Sequence, residues 1–253
     1  MTRHVPIKLA KTLLHHLNDD GVTPAVVRFL DTYFDCYVNH LVILKQIFMS
    51  EQIDNDRVGR DAWTTGQLES KHWLLSTVAG LNLKLGETWI VCGWIGSLAL
   101  LMDNFKTSIS FDRIRSFDID QRCASLADSL NKRMVLNDWK FKASTMDAYD
   151  IYYTDFMWQT EKYNGSTDRV IGTADTIINT SCEHLEDFDT WFDNIPFGKL
   201  VVLQCSDHES YDGHVNSMSN MYELSYRAKC RRLLYKGTLD CGEYSRHMLI
   251  GVK

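Results

Sequence analysis

The chain has 253 residues, 45% of them apolar and 24% charged, with a formal net charge of −6. That balance excludes a disordered or fibrous chain and suffices for a buried core without disulfides. The acidic excess argues against a general duplex-binding protein, which shows a basic face.

Residues 1–80 read as a helical cap. Thr23-Pro24 is a helix start, a hydroxyl N-cap followed by proline at the first helical position, and apolar residues then recur from Val26 to Phe48 at helical spacing. Such a face must pack on something, and it makes this region the candidate surface for a homo-oligomer. A second helix is expected over residues 66–78, ended by Gly80. Residues 81–253 then read as an α/β domain. Thr88–Cys92 is a short apolar run stopped by glycine, a buried strand, followed by a helix over Ser97–Met102. Further strands are expected over Ile114–Ile119, Trp139–Ala143, Thr176–Asn179 and Leu200–Cys205, with helices over Cys123–Met134 and Glu186–Asn194. Tyr152–Arg169 breaks the alternation and reads as an inserted loop or short helix. Leu233–Leu239 and Ser245–Val252 read as a hairpin around Asp240-Cys-Gly-Glu. Alternating buried strands and helices predict a mostly parallel sheet, here seven-stranded with a C-terminal antiparallel hairpin. Arg227, Lys229, Arg231 and Arg232 read as a solvated helix face.

The seven cysteines are scattered singly, without a C-x-x-C pair, which suggests free thiols in a reducing compartment. The first residues lack a signal-peptide core, and apolar runs such as Leu41–Leu44 are too short to cross a membrane. A cytoplasmic protein with no membrane partner is the expectation.

Chemistry concentrates at strand ends. In Cys92-Gly93-Trp94-Ile95-Gly96-Ser97 the glycines let backbone approach a ligand, and the next helix offers free N–H groups. A tight strand-to-helix turn is the plainer reading of the same residues taken alone. Phe117-Asp118-Ile119-Asp120 ends the second strand. Asp118 there is placed to accept the hydroxyls of a ribose, with Asp120 as a helix cap. Met146-Asp147 follows the third strand. Asp147 is either an acceptor for an adenine amino group, with Met146 packed on the ring, or an ordinary loop aspartate.

This order of parts resembles the class I S-adenosylmethionine-dependent methyltransferases over about Gly86 to Lys253. The resemblance implies a Rossmann-like fold and S-adenosylmethionine as cofactor. Its contacts would be Cys92, Gly93, Trp94, Gly96, Asp118, Ile119, Met146, Asp147 and Asn179. The loop departs from the family's acidic residue plus G-x-G-x-G, and G-x-G-x-x-G for NAD is absent.

Asn179-Thr180-Ser181-Cys182-Glu183-His184 lies where the family places substrate-side groups. Methyl transfer needs orientation of donor and acceptor, and a base only if the acceptor must lose a proton. Ser181, Glu183 and His184 are the catalytic candidates, with helix capping by Ser181 and Glu183 as the other reading. Gln204, Asp207, His208, His214 and Asn216, at and after the end of the fifth strand, are substrate contacts or loop structure. The spacing of Asp207, His208 and His214 fits no zinc pattern, so no metal is expected. Lys71, in Gln67–Trp73, is a further substrate-side candidate, alternatively a surface lysine beside a buried Trp73.

The resulting expectation is an S-adenosylmethionine-dependent transferase, most simply a methyltransferase. Its acceptor is a small molecule or a limited protein site, not nucleic acid. Two alternatives keep the fold. One moves another part of the cofactor, by aminocarboxypropyl transfer or by cleavage or cyclisation of the cofactor. The other is a non-catalytic binding subunit.

Overall fold

The computed structural model describes residues 58–253, apart from 106, 163 and 212. The expected helix from Thr23 and most of the 1–80 cap lie outside the described residues. In chain order the elements are α1 (Thr65–Gly80), β1 (Glu87–Val91), α2 (Ser97–Asn104), β2 (Arg113–Asp118), α3 (Cys123–Leu130), α4 (Lys132–Leu136), β3 (Phe141–Thr145), β4 (Phe156–Glu161), β5 (Thr167–Gly172), β6 (Thr176–Asn179), α5 (Phe188–Asp193), β7 (Leu200–Ser206), α6 (Met221–Ala228), β8 (Arg232–Asp240) and β9 (Ser245–Val252). Among the described residues no helix is long and apolar enough to cross a membrane.

The described chain divides into two compact units. One is helical and contains α1 to α4. Leu68, Leu74, Leu75 and Val78 of α1 are buried, as is nearly all of α2. The helix expected over Cys123–Met134 is instead two, broken at Asn131 (φ −101°, ψ 22°). Asn131 Nδ2 donates to the carbonyls of Gly96 (3.0 Å) and Ala127 (2.9 Å). Asparagine's short amide competes with helical hydrogen bonds in this way, and here it anchors the start of α2.

The other unit holds a seven-stranded sheet of order β3-β2-β1-β6-β7-β9-β8. β1 pairs in parallel with β2 and β6, and β6 with β7. β9 runs antiparallel between β7 and β8. The apolar runs read as buried strands are buried along their length, as expected of a sheet covered on both faces. Trp89, Phe117, Ile177, Val201 and Leu249 share one core with Phe188, Trp191 and Leu224 of α5 and α6.

The Tyr152–Arg169 excursion is neither loop nor helix. It contains β4, which pairs antiparallel with β5 as a separate two-stranded sheet whose turn holds Asn164-Gly165. Its Trp158 packs edge-on to Trp89 (5.3 Å) and Phe117 (5.4 Å), and its indole N–H donates to Ser144 Oγ. An isolated hairpin is marginal in water, and this buried tryptophan anchors it.

The basic cluster is not one helix face either. Arg227 closes α6, paired with Asp189 (3.0 Å) and donating to Asn216. Lys229 ends that helix at φ +43°, Arg231 lies over Phe197, and Arg232 opens β8.

Candidate functional site

Strand order reverses direction between β1 and β6, because β2 and β3 lie outward on one side and β7 on the other. In open α/β sheets that reversal opens a crevice at the carboxyl ends of the strands. Cys92 and Gly93 follow β1 there, Asp118 ends β2, Met146 and Asp147 follow β3, and Asn179 ends β6. The structure gathers these residues. Asn179 Nδ2 lies 3.8 Å from Cys92 Sγ across the reversal. Gly93 N donates to Phe117 O (2.9 Å), and Met146 N to Asp118 O (2.8 Å). Burial pushes the Cys92 thiol up to about 12, and the nearby carboxylates of Asp118, Glu183 and Asp147 add to the rise.

The two acids of the cofactor expectation are each held locally. Asp118 Oδ1 accepts from Asp120 N (3.0 Å), which fixes the direction of a half-buried carboxylate. Asp120 is not the expected helix cap: the N-cap position of α3 is Arg122, whose side chain does not cap the helix. Asp147 Oδ1 accepts from Tyr149 N and caps a short 3₁₀ turn. Ile119 is 67% exposed, an apolar side chain beside Asp118. Met146 is half-buried against the core.

The loop after β1 is shaped differently from its glycine pattern. Positive φ falls on Cys92 (53°), Trp94 (49°) and Gly96 (72°), and not on Gly93. Left-handed backbone costs a non-glycine residue roughly 1–2 kcal/mol. Gly93 is required for space: a Cβ there would lie 2.1 Å from Ser116 Oγ. Within the helical unit, the Trp94 indole donates to Val58 O (2.9 Å). Lys71, in the same unit, is buried and donates to Gln67 Oε1 (2.6 Å), one helical turn back. The alternative of a surface lysine beside a buried tryptophan is reversed, since Trp73 is only half-buried.

The polar run after β6 folds into a 3₁₀ turn, Cys182–His184. Ser181 occupies its N-cap position without a side-chain bond, and its N–H donates to Asn179 Oδ1 (2.8 Å). Glu183 lies inside the turn and is fully buried, so neither capping expectation holds. Its carboxylate joins separate segments. Oε1 accepts from Arg246 Nη2 on β9 (3.3 Å), and Oε2 from Ser206 N on β7 (3.3 Å). Its own carbonyl accepts from Val215 N and Asn216 N. Arg246 is only 5% exposed and also donates to Thr180 O (2.9 Å). Arg246 and Ser206 were missed in the sequence, because β7–β9 pairing brings them together as opposite partners.

His184 and His214 meet edge to face, with centroids 4.9 Å apart. His184 Nδ1 bonds Gly213 O (2.9 Å), and His214 Nδ1 bonds His208 O (2.6 Å). A carbonyl only accepts, so each Nδ1 carries a proton, which in the neutral tautomer leaves the lone pair on Nε2. His214 Nε2 lies 3.8 Å from Glu183 Oε1. Burial lowers the His214 pKa and favours its neutral form. His208 stacks on Tyr244 (5.5 Å), while Asp207 Oδ1 accepts from Ser245 N.

No protein-family model matches the chain, and no curated protein sequence does. Solved structures do. The chain is similar to the N-methyltransferase NodS from Bradyrhizobium japonicum WM9 in complex with S-adenosyl-L-homocysteine, with a TM-score of 0.52 and 14% identity over 84% of this chain and 98% of that one. It is also similar to the magnesium protoporphyrin IX methyltransferase ChlM from Synechocystis PCC 6803 with bound S-adenosylhomocysteine (TM-score 0.50, 12% identity, 84% and 99% covered). A third likeness is to the complex of the Haloferax volcanii Trm112 methyltransferase activator and a putative methyltransferase (TM-score 0.50, 11% identity, 81% and 96% covered). The fold is therefore the Rossmann-like one of the class I methyltransferases, with the seven-stranded sheet and terminal hairpin expected from the sequence.

Proposed function

We propose that the chain is an S-adenosylmethionine-dependent methyltransferase acting on a small molecule or a limited protein site. The observation that carries this is the gathering of Cys92, Gly93, Asp118, Asp147 and Asn179 at the sheet's reversal point. The fit of the group is supported there. Gly93 lets the loop close against Ser116 directly after β1, at the carboxyl end of the strand where such folds bind their ligands. Asp118 presents an oriented carboxylate suited to a ribose diol, beside exposed Ile119. Asp147, with Met146, is suited to the adenine edge. The likeness to structures solved with S-adenosylhomocysteine agrees with this assignment.

When bound, the cofactor supplies an electrophilic methyl group. The chain's part is to orient donor and acceptor and keep competing water out. Ser181 and His184 follow Asn179 within five residues and are the acceptor-side groups. His184 is exposed, and its Nε2 lone pair is suited to take a proton from an acceptor. Glu183, engaged by Arg246 and Ser206, shapes that loop and does not serve as the base.

The test is the fate of the cofactor. Incubation with S-adenosylmethionine and pooled candidate acceptors, read by mass spectrometry, should release S-adenosylhomocysteine. Methylthioadenosine would replace methyl transfer by aminocarboxypropyl chemistry. An unconsumed cofactor, together with no measurable binding, would overturn both.

A further inference from the structure

We propose that Glu183, His184 and His214 form a binding site for a first-row transition-metal dication such as Zn²⁺ or Co²⁺. One ligand atom from each lies within 4.8 Å of the other two. In a tetrahedral zinc site, with bonds of about 2.0–2.1 Å, ligand atoms stand about 3.3 Å apart. The rearrangement needed is thus on the order of 1 Å. His184 is exposed and able to make it, while the Glu183 carboxylate is held from behind by Ser206 N.

The hydrogen bonds specify the ligand atoms. Metal-ligating histidines donate the other ring N–H to a carbonyl or carboxylate, which fixes tautomer and ring direction. Both rings do this here, through Gly213 O and His208 O. His214 Nε2 and Glu183 Oε1 stand 3.8 Å apart, an imidazole nitrogen and a carboxylate oxygen close enough to share one ion. The His184 ring, edge to face with His214, supplies the third donor.

Two imidazoles and one carboxylate select the metal. Imidazole nitrogen suits zinc, cobalt, nickel and copper, whereas magnesium and calcium prefer all-oxygen sets. Arg246 shares Glu183 Oε1 and adds positive charge, which further disfavours ions held mainly by charge. Three protein ligands leave coordination positions open. With the ion bound, His184 Nε2 is a ligand and no longer the base named above; use of the open positions by an acceptor oxygen rests on the methyltransferase reading, and metal binding itself does not.

The experiment titrates Co²⁺ into the full chain after chelator treatment and follows its visible ligand-field absorption. The native chain should develop the intense bands of a low-coordinate nitrogen–oxygen site, abolished by Zn²⁺ and unaffected by excess Mg²⁺. His184→Ala and His214→Ala should each weaken Co²⁺ binding at least tenfold, with unchanged far-ultraviolet dichroism. Because His184 is exposed, its variant keeps the test valid even where the His214 variant misfolds. Asp118→Ala should leave Co²⁺ binding intact. Absorption that fails to appear, or that persists undiminished in His184→Ala, overturns the proposal. Calorimetry with S-adenosylhomocysteine on the same preparation separates the two readings. Nucleoside binding without cobalt binding sinks the metal site alone, and cobalt binding without nucleoside binding sinks the cofactor assignment alone.

Discussion

The two sides of the sheet's reversal point are built by opposite strategies. On the β2–β3 side, Asp118 and Asp147 each accept from a backbone N–H two residues further along their own loops. On the β6–β7 side, Glu183 joins its own turn to three other stretches of chain: Ser206, Arg246, and the adjacent Val215 and Asn216. Locally held acids can be removed with little damage to the fold. A buried carboxylate at a junction cannot. The comparison separates groups suited to bind a ligand from a group that keeps the crevice wall in place.

The largest expected effect therefore belongs to Glu183. Glu183→Ala leaves the buried Arg246 guanidinium without its carboxylate, and removing one partner of a buried pair costs about 3–5 kcal/mol. Urea unfolding should show a loss of that size, and Glu183→Gln, which keeps an acceptor for Ser206 N, a smaller one. Equal stability of Glu183→Ala and the native chain would erase the contrast between the two sides. Next comes Gly93→Ala, whose new methyl meets Ser116 Oγ. Overpacking of this kind costs about 1–3 kcal/mol. Ser116→Gly in the same chain should restore a good part of it, and a fully additive double variant would show the two positions to be independent. A smaller effect on the fold, but a direct one on binding, is expected of Asp118→Ala. It should lose at least tenfold in affinity for S-adenosylhomocysteine with its unfolding midpoint little moved.

The mildest prediction concerns the thiols. Burial and neighbouring carboxylates hold Cys92 protonated up to about pH 12, and the thiolate is the reactive form. Alkylation of the native chain at pH 8, mapped by mass spectrometry, should spare Cys92 and modify it only after unfolding. Rapid native labelling would mean that the β1–β6 junction is more open than described.

What the sequence revealed follows the same division. Buried strands were legible from unbroken apolar runs such as Thr176–Asn179, and Asp118 and Asp147 from their place at strand ends. Asn164-Gly165 between alternating segments is a hairpin signal. It reads as part of an inserted loop in the sequence because the aromatic residues before it obscure the alternation that buries Trp158 and Thr160. The break at Asn131 depends on the Gly96 carbonyl 35 positions away. The Glu183–Arg246 pair spans 63 positions and exists only because β9 returns beside β7. Such contacts are products of topology, which side-chain pattern alone does not encode. Likewise the histidine spacing fitted no known metal pattern, because Glu183 and His214 meet through folding and not through adjacency.

The most direct test of the cofactor assignment is calorimetric titration of the full chain with S-adenosylhomocysteine, run beside Asp118→Ala. A saturable one-to-one heat in the native chain, weakened at least tenfold in the variant, is the predicted result. No binding heat at millimolar ligand, or equal affinity in the two chains, would contradict it.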